Sequence, residues 1–395
     1  MGTSIQTHRS YIHKHISQIP TPALVLSLPI LRSNVQRLLD DVSEVGISFR
    51  PHVKTLKSLD VTRMMLHGGR HRAIVASTVP EIEGALPLVK EGILDECLYG
   101  LPISEGVLPR LAAIARDVRI LLMVDNEQQI GILEKFVSTS PEIGKWQVFI
   151  KIDVGSRRAG VSVDSPILRG LIQRAEKSPA TSIYGFYCHA GHSYGCQDRD
   201  SVESVLRAEI DGVLSAASIV TSQEHPLVLS IGSTPTAHSI QSIKHSLPPG
   251  VALELHAGNF PANDLQQVCT GVVHRDQQAV RILAEVCSVY PERNEALVNA
   301  GAIALSRETS AVPGFGQVCD QPEWHVVRLS QEHGLLGLVN PEVPDGPKAE
   351  QSFHVGQKIL LYCQHACITA AAFPVYFIVD ENDIICDTWI PWKGW

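Results

Sequence analysis

Long apolar runs are missing from this sequence of 395 residues. No stretch approaches the roughly 20 consecutive apolar residues that a membrane-spanning helix requires. The first residues also lack the apolar core of a secretory signal peptide. We therefore expect no membrane partner and a cytoplasmic location.

Runs of basic residues are missing as well. The chain carries 33 lysine and arginine residues against 41 aspartate and glutamate residues, which gives a formal net charge of −8. A protein that binds a polyanion carries a basic patch or stripe. Nucleic acid is therefore not an expected partner, and a small-molecule ligand is favoured.

Cysteine pairs with the spacing C-x-x-C are absent. The nine cysteines are scattered and odd in number. Without a secretory signal, we expect them to be thiols in a reducing compartment. Low-complexity linkers and short repeats are absent too, and the length allows two domains or one large barrel with an appendage.

Short β-rich runs alternate with helical patterns between residues 47 and 260. The eight predicted strands cover residues 47–50, 73–77, 96–99, 119–124, 148–152, 183–189, 227–231 and 252–256. A helix that ends at Gly46 is predicted before them, because apolar residues recur there at spacings of four and three. They are Leu31, Val35, Leu38, Val42 and Val45. The alternation indicates an α/β protein with a (β/α)8 TIM barrel, whose chemistry lies at the C-terminal ends of the strands.

Beyond about residue 270 the helical patterns stop. Strands without helices between them are predicted at residues 279–290, 295–305, 325–329, 358–362, 375–380 and 384–389, with a hairpin turn at 380–383. We therefore expect a barrel domain over residues 20–270. An antiparallel β domain is expected over residues 271–395, with residues 1–19 packed on it.

One lysine stands out by its position. Lys54 follows the first barrel strand, where barrel active sites are built. A single lysine in a loop is in general a surface residue. However, its neighbours are apolar and cationic, with Arg50 as the cation and His52 as a candidate second one, and such neighbours favour imine chemistry at an amine. Lys54 is therefore our candidate for a Schiff base with a cofactor.

Two glycine-containing turns follow the last two barrel strands. Gly232-Ser233-Thr234 comes after the seventh strand and Gly258-Asn259 after the eighth. Barrels often bind phosphate at these two loops through backbone N–H groups and a helix N-terminus. Ser233 or Thr234 can add a hydroxyl. As a pair, the turns indicate a phosphate site.

Polar and aromatic residues also end the fifth and sixth strands. They include Lys151, Arg158, Tyr187 and His189. Such side chains suit the face and edge of an aromatic cofactor, which makes His189 a candidate cofactor contact. The alternative is a core histidine beside a packing tyrosine.

His365 and Cys367 are the candidate metal ligands. On a strand, residues two apart face the same way, and imidazole with thiolate is a good zinc pair. Two ligands do not complete a structural site. They suit an open catalytic site that substrate and water complete, although this spacing also occurs by chance.

Taken in order, these segments resemble the D-serine dehydratase / D-threonine aldolase family over nearly the whole chain. These enzymes depend on pyridoxal 5′-phosphate (PLP) and have the alanine-racemase-like fold, fold type III. The matching segments are residues 50–55, 153–160, 189–194, 232–236, 258–259, 304–308, 331–334, 365–367, 387–389 and 393–395.

The resemblance implies a role for each candidate. It implies that Lys54 carries PLP as a Schiff base, that Arg158 bonds the phenolic oxygen of PLP, and that Tyr187 meets the pyridine nitrogen. The phosphate would be held by Ser233, Thr234, Gly258 and Asn259. A divalent metal, zinc or another, would be bound by His365 and Cys367 beside a D-amino acid substrate. Family members are homodimers.

The same resemblance bears on the reaction. A His-x-Cys pair looks like the zinc-dependent D-serine dehydratases, which give pyruvate and ammonia. Cleavage of a D-3-hydroxy amino acid to glycine and an aldehyde, as in D-threonine aldolase, is an alternative. A non-catalytic PLP-homeostasis protein is another, but such proteins stop after the barrel, whereas about 125 residues follow residue 270 here. Leu56 and residues 260–263 depart from the family pattern and leave the substrate open.

Overall fold

The computed structural model describes residues 7–221, 225–243, 248–340 and 346–395. Residues 1–6 of the segment expected to pack on the β domain lie outside them. The chain forms two compact units. The β unit contains residues 1–36 and 259–391, and the barrel unit contains residues 37–258 and 392–395. These divisions fall at other positions than the expected residues 20 and 270.

Strands and helices are numbered here in chain order. The strands are β1 (Ala23–Ser27), β2 (Ser48–Phe49), β3 (Ala73–Ala76), β4 (Glu96–Pro102), β5 (Arg119–Val124), β6 (Trp146–Asp153), β7 (Val161–Ser162), β8 (Thr181–Cys188), β9 (Leu227–Ile231), β10 (Val251–Leu255), β11 (Val280–Tyr290), β12 (Glu295–Val298), β13 (Gly316–Val318), β14 (Trp324–Leu329), β15 (Gly334–Leu338), β16 (Lys358–Cys363), β17 (Tyr376–Val379) and β18 (Ile385–Trp389). The helices are α1 (Leu28–Val45), α2 (Leu59–Met65), α3 (Val79–Lys90), α4 (Leu108–Ile114), α5 (Glu127–Thr139), α6 (Pro166–Lys177), α7 (Arg199–Ala217), α8 (Thr234–Ala237), α9 (Leu265–Cys269), α10 (Ala302–Leu305), α11 (Ala349–Ser352) and α12 (Ala366–Ala372).

A ring of parallel strands forms the barrel unit. Its order is β2-β10-β9-β8-β6-β5-β4-β3, and the short β7 pairs with β6. The ring closes just beyond β2, because Val75 in β3 donates its N–H to the carbonyl of Pro51 and accepts the N–H of Val53. All eight predicted strands are present and alternate with helices. The prediction of a (β/α)8 barrel is therefore confirmed.

The β unit contains a second ring. Strands β11, β12, β15, β14, β13 and β16 close on one another through antiparallel pairings. The sheet continues from β11 through β1 and β17 to β18. Strands β1 and β17 pair in parallel, so the expected antiparallel domain is antiparallel apart from this pair within the described residues. The predicted hairpin at 380–383 joins β17 to β18.

Three expectations about this unit are wrong. The run 295–305 is not one strand, because β12 ends at Val298 and α10 begins after Gly301. Short helices do lie between the strands, namely α9, α10, α11 and α12. The segment after residue 20 was expected in the barrel domain, but β1 pairs with β11 and β17 instead. Its partner β17 lies some 350 residues along the chain, which local patterning cannot reveal.

The predicted amphipathic helix is confirmed as α1. Its apolar stripe includes Leu31, Leu38 and Val42, which are fully buried. It ends where Gly46 takes a left-handed conformation with φ of 74°, a conformation that glycine adopts without steric cost. Within the described residues, no helix combines the length and apolar character that crossing a membrane requires.

Gly185 in β8 tests how closely the barrel strands approach each other. A Cβ atom there would overlap the carbonyl of Val228 in the neighbouring β9, so we expect Gly185→Ala to lower the free energy of unfolding by about 1–3 kcal/mol. Gly131, inside α5, has nothing within 4 Å of a built Cβ. The matched change Gly131→Ala should therefore raise it by about 0.5–1 kcal/mol. Urea unfolding measures the free energy of unfolding of both variants. Equal values for the two would contradict the close approach of β8 and β9.

Candidate active site

Lys54 lies in a tight turn directly after β2. The N–H of Lys57 donates to the carbonyl of Val53 over 3.0 Å, which closes a single helical turn. The N–H of His52 donates to the carbonyl of Ala257, just beyond β10. These bonds place the half-buried Lys54 at the C-terminal ends of the barrel strands, where the sequence predicted it.

Lys151 and Arg158 add further positive charge to this end of the barrel. Lys151 in β6 is 6% exposed, and burial lowers the pKa of its amine to about 8. The charges of Arg158 and Lys54 contribute to this lowered pKa, and the attraction of Asp125 opposes them. The positive charges of Lys54, Lys151 and Arg158 thus repel one another, and the carboxylate of Asp125 does not balance them. Such a site suits an anionic ligand.

Three histidines near these cations are neutral. Burial, with a contribution from Lys54, holds the pKa values of His52, His189 and His256 well below the ordinary range. Nδ1 of His189 lies 2.9 Å from the carbonyl oxygen of Gly232. A carbonyl only accepts, so Nδ1 carries the proton and Nε2 carries a lone pair.

His52 has the opposite tautomer. Its Nδ1 accepts the backbone N–H of Lys54 over 3.3 Å. In a neutral ring the proton is then on Nε2, which lies 3.3 Å from Oγ of Ser77. The sequence offered His52 as a candidate cationic neighbour of Lys54; its ring is neutral instead and hydrogen-bonds the backbone of that residue.

An aromatic stack lies beside Lys151, whose ammonium is 5.3 Å from the ring centroid of Tyr187. The rings of Tyr187 and His256 are parallel within 10°, with centroids 4.0 Å apart. Burial raises the pKa of Tyr187, which keeps the phenol neutral. Nε2 of His256 is buried and has no hydrogen-bond partner among the described residues. An orphaned polar atom beside an aromatic face, surrounded by cations, fits a flat anionic cofactor such as PLP.

The loop after β9 is held by a network of short bonds. Oγ of Ser233 lies 2.7 Å from Oγ of Ser193 and 2.9 Å from Oγ1 of Thr236, and it caps α8. Gly232 has a φ of 140°, and a Cβ atom there would overlap the carbonyl of His256. Only glycine fits this close approach.

A buried carboxylate that the sequence interpretation missed supports this loop. Oε1 of Glu209 accepts the N–H of Gly232 over 3.2 Å and that of Ala190 over 3.0 Å. Burial raises the pKa of Glu209 to about 7, although these bonds oppose the shift. A signal for it does exist in the sequence. Glu209 stands where the apolar stripe of α7 calls for a hydrophobic residue, between Leu206 and Val213.

The predicted phosphate residues lie in two loops, Ser233 and Thr234 after β9 and Gly258 and Asn259 after β10. A Cβ atom on Gly258 would lie 3.1 Å from the carbonyl oxygen of His52, so only a small residue fits there. Asn259 donates from Nδ2 to Oδ2 of Asp264 over 2.6 Å. Their contacts with phosphate stay predictions.

Arg158 belongs to a loop that the chain holds by its backbone. Oδ1 of Asp153 accepts the N–H groups of Gly155 and Arg157, each over 3.0 Å. The N–H of Gly160 donates to Oδ2 of Asp125 over 3.0 Å. The exposed Arg158 is thereby carried between two fixed points. Its charge lowers the pKa values of Lys151 and His189.

The candidate metal ligands lie at the start of a helix. The expectation that His365 and Cys367 share a strand is wrong, because β16 ends at Cys363 and His365 is the N-cap of α12. Their side chains are nevertheless hydrogen-bonded to each other. His365 has extended backbone angles, so the chain turns into the helix between the two residues.

The surroundings of His365 are acidic. Burial alone would lower its pKa, but the bond to Cys367 and the negative charges of Cys367, Asp264 and Glu308 raise the pKa to about 9. Surroundings that stabilise an imidazolium also suit a metal cation. In the described part of the chain, no three metal-ligating side chains come together. The pair therefore offers two ligands and an open site.

Asp264 is a second residue that the sequence interpretation missed. Its buried carboxylate accepts the N–H of Ala366 over 2.8 Å and that of Gln267 over 3.0 Å, in addition to the amide of Asn259. It therefore holds the first turn of α12 in place. In the sequence it is distinguishable only as an N-cap of the short α9.

The low pKa of Lys151 has a consequence for stability. The unfolded chain keeps this proton up to a pKa of about 10.4, whereas the folded protein releases it from about pH 8. Stability therefore rises with pH between these values. For protein freed of cofactor, we expect wild type to gain about 3 kcal/mol over Lys151→Met between pH 7 and pH 10.5. Urea unfolding at each pH measures the difference. The exposed Lys177→Met is the control, and its free energy of unfolding should differ from that of wild type by the same amount at each pH. If the difference for Lys151→Met does not change with pH either, the burial of the Lys151 charge is contradicted.

Comparison with known proteins shows which family this chain belongs to. Residues 26–253 match the family model of the alanine racemase N-terminal domain, and residues 279–379 match that of a serine dehydratase domain. The chain is 43% identical to D-serine dehydratase of Schizosaccharomyces pombe, over 98% of this chain and 95% of that protein. It is 34% identical to D-serine dehydratase of Saccharomyces cerevisiae, over 96% and 97%.

Solved structures extend the comparison. D-threo-3-hydroxyaspartate dehydratase from Delftia sp. has a TM-score of 0.83 at 26% identity, covering 96% of this chain and 100% of that chain. A cysteine-to-alanine variant of that dehydratase, described as a metal-free form, has a TM-score of 0.83 at 26% identity over 97% and 100%. The chain therefore belongs to the D-serine dehydratase and D-threonine aldolase family of PLP-dependent lyases with the alanine-racemase-like fold.

Proposed function

We propose that this chain removes water from a D-3-hydroxy amino acid, D-serine above all, with PLP carried on Lys54. The observation that carries the proposal is the set of cations and neutral histidines around Lys54 at the mouth of the barrel, in a chain 43% identical to a D-serine dehydratase. Loss of the Cα proton and the β-hydroxyl from D-serine gives an enamine, which water converts to pyruvate and ammonia.

The chain's own residues divide the work. Bound PLP supplies an electron sink that acidifies the Cα proton of an amino acid attached to it. Lys54 supplies the amine that attaches the cofactor and then accepts the Cα proton. Lys151 and Arg158 balance the negative charges of the phosphate and the phenolic oxygen. Tyr187 would present a neutral phenol to the pyridine ring, and His189 would contact the cofactor.

We assign the activation of the substrate hydroxyl group to the metal ion that His365 and Cys367 would hold. A divalent cation held by His365 and Cys367 supplies positive charge that makes a hydroxyl a better leaving group. A thiolate ligand favours zinc over magnesium or manganese. The cysteine variant of the related dehydratase, described as a metal-free form, supports a metal role for a cysteine in this family. The Cys367 thiolate is also our reason to prefer dehydration to retro-aldol cleavage.

A homodimer in the cytoplasm completes the proposal. An active site at an open barrel mouth needs further walls to exclude water, and a second subunit can supply them. We expect the nine cysteines to remain free of disulfides in this reducing compartment. Sedimentation of the active enzyme tests the subunit count.

The reaction is tested with a panel of D-amino acids. We expect the purified protein to convert D-serine and D-threo-3-hydroxyaspartate to keto acids and ammonia. D-threonine should give 2-oxobutyrate rather than glycine and acetaldehyde. Chromatographic identification of the carbonyl products decides the matter. Glycine with an aldehyde as the main products would replace the dehydratase by an aldolase.

The lysine is tested separately. Borohydride should fix the cofactor to the protein, and peptide mapping should find the adduct on Lys54. Lys57, three residues away, serves as the internal control. An adduct on Lys57, or none after incubation with PLP, would remove the basis of the proposal.

The metal is tested by chelation. We expect a chelator to abolish elimination while leaving the absorption band of the lysine-bound cofactor intact, and added zinc to restore activity better than manganese. Cys367→Ala should lose most of the metal and most of the turnover. The exposed Cys287→Ala should lose neither. Cys367→Asp should shift the metal preference towards manganese, because carboxylate oxygen is a harder ligand. Metal analysis and steady-state kinetics measure these effects; full turnover by Cys367→Ala would show that this thiol is not a ligand.

A further inference from the structure

Residues 392–395 pack on the barrel unit against the turn that carries Lys54. The backbone N–H of Trp392 donates to the carbonyl of Lys57 over 2.7 Å. Lys57 ends the turn that closes on Val53 and contains Lys54. The segment therefore contacts the last residue of a turn only five residues long.

The side chain of Trp392 packs against α3 at Gly84. A Cβ atom on Gly84 would lie 2.5 Å from Cδ1 and Cδ2 of the indole. Glycine inside a helix costs about 0.5–1 kcal/mol relative to alanine. The indole occupies the space that this glycine leaves, so the sequence of α3 is adapted to Trp392.

A neighbouring helix supplies a second anchor. Arg110 in α4 approaches the carbonyl of Trp395 at 3.5 Å and both carboxylate oxygens of Glu83 at 3.4 Å. The segment is thus held at both of its ends, by α3 and Lys57 at one and by α4 at the other.

Lys57 itself is a strained residue. Its φ of 47° is in the left-handed region, which is costly for a residue with a side chain. Its ammonium pairs with the buried carboxylate of Glu81 over 3.2 Å. Glu81 also accepts the N–H of Ser77, whose hydroxyl lies 3.3 Å from Nε2 of His52. Such a conformation persists only where its surroundings hold it, and Trp392 and Glu81 do so here.

We propose that residues 392–395 form a strap that holds the Lys54 turn in its productive position, with Trp392 as the positioning residue. A turn of one helical repeat cannot absorb a displacement of Lys57, so the displacement reaches Lys54. The inference rests on the proposed function in taking Lys54 as the cofactor lysine. Trp392 touches neither substrate nor cofactor in this account.

The test uses the cofactor-loaded enzyme and four variants. Trp392→Ala removes the indole, and Trp392→Phe keeps an aromatic ring over Gly84. Gly84→Ala displaces the indole from the other side. The double variant Gly84→Ala/Trp392→Ala removes both the ring and the clash. Leu133→Ala, a buried core change in α5, is the control for general destabilisation.

Hydrogen exchange gives the first readout. For Trp392→Ala we expect amide exchange in residues 53–57 to rise at least on the order of tenfold, while β5 and β9 stay unchanged. Gly84→Ala should reproduce this effect, and the double variant should be no worse than Trp392→Ala alone. Trp392→Phe should restore most of the protection. Leu133→Ala should leave residues 53–57 no less protected than the rest of the barrel unit.

Kinetics with D-serine gives the second readout. We expect kcat of Trp392→Ala to fall roughly tenfold to a hundredfold with KM little changed, because the lysine is misplaced and substrate binding is not. Leu133→Ala should keep the wild-type kcat at a temperature where it is folded.

Two results would overturn the strap. One is unchanged exchange of residues 53–57 in Trp392→Ala; the other is independent, multiplying losses in the double variant. Failure of the proposed function is distinguishable, because it would appear as a borohydride adduct on another lysine while the exchange coupling between Trp392 and residues 53–57 persisted.

Discussion

The barrel site depends on one constraint. Positive charge is buried there without enough carboxylates to balance it. Deep in the barrel, Arg50 is buried but paired with Glu254 over 2.8 Å and with Glu96, which Arg119 also contacts. Around Lys54 the balance is different. The pKa of Lys151 falls to about 8 although Asp125 attracts its proton. The first group is neutralised by the chain itself, whereas the second is suited to a ligand that brings negative charge.

The same constraint determines the state of the histidines. Burial, with the added effect of cations at the barrel mouth, lowers the pKa values of His52, His189 and His256 and keeps the rings neutral. A neutral imidazole has one donor and one acceptor, so each ring can hold a defined tautomer. His52 uses its acceptor on the backbone of Lys54, and His189 uses its donor on Gly232. Burial and the nearby cations thus keep the rings neutral, and the neutral rings hydrogen-bond the loops that carry the predicted cofactor contacts.

The features that the sequence could predict followed from the period of its apolar residues and from the positions of residues relative to the strand ends. The β/α alternation located all eight strands, and the strand ends then located Lys54, Lys151 and His189. Residues two apart face the same way only on a strand. The error at His365 and Cys367 came from applying this rule where a strand has ended and a helix begins. Three of the four residues that follow Ile368 are alanines, which favour a helix. The contacts of Glu209 with Ala190 and of Asp264 with Ala366 span about 20 and 100 residues, and no local pattern reports them. What the sequence does hold is a polar residue in an apolar stripe at Glu209 and a helix N-cap at Asp264.

Asp264 shows why the two halves of the proposed chemistry depend on each other. One buried carboxylate accepts the amide of Asn259, a predicted phosphate ligand, and the first backbone N–H of α12, next to the predicted metal ligands. Burial raises the pKa of Asp264, and the three bonds it accepts together with the charge of His365 oppose the rise. A carboxylate in such a position is costly to bury unless its partners stay in place. Any shift of the Asn259 loop therefore disturbs the start of α12, and any shift of α12 disturbs the loop. The predicted phosphate ligand and the predicted metal ligands are thus held by one group within the β unit. A change that alters the proposed metal preference should therefore be sought around Asp264 as well as at Cys367.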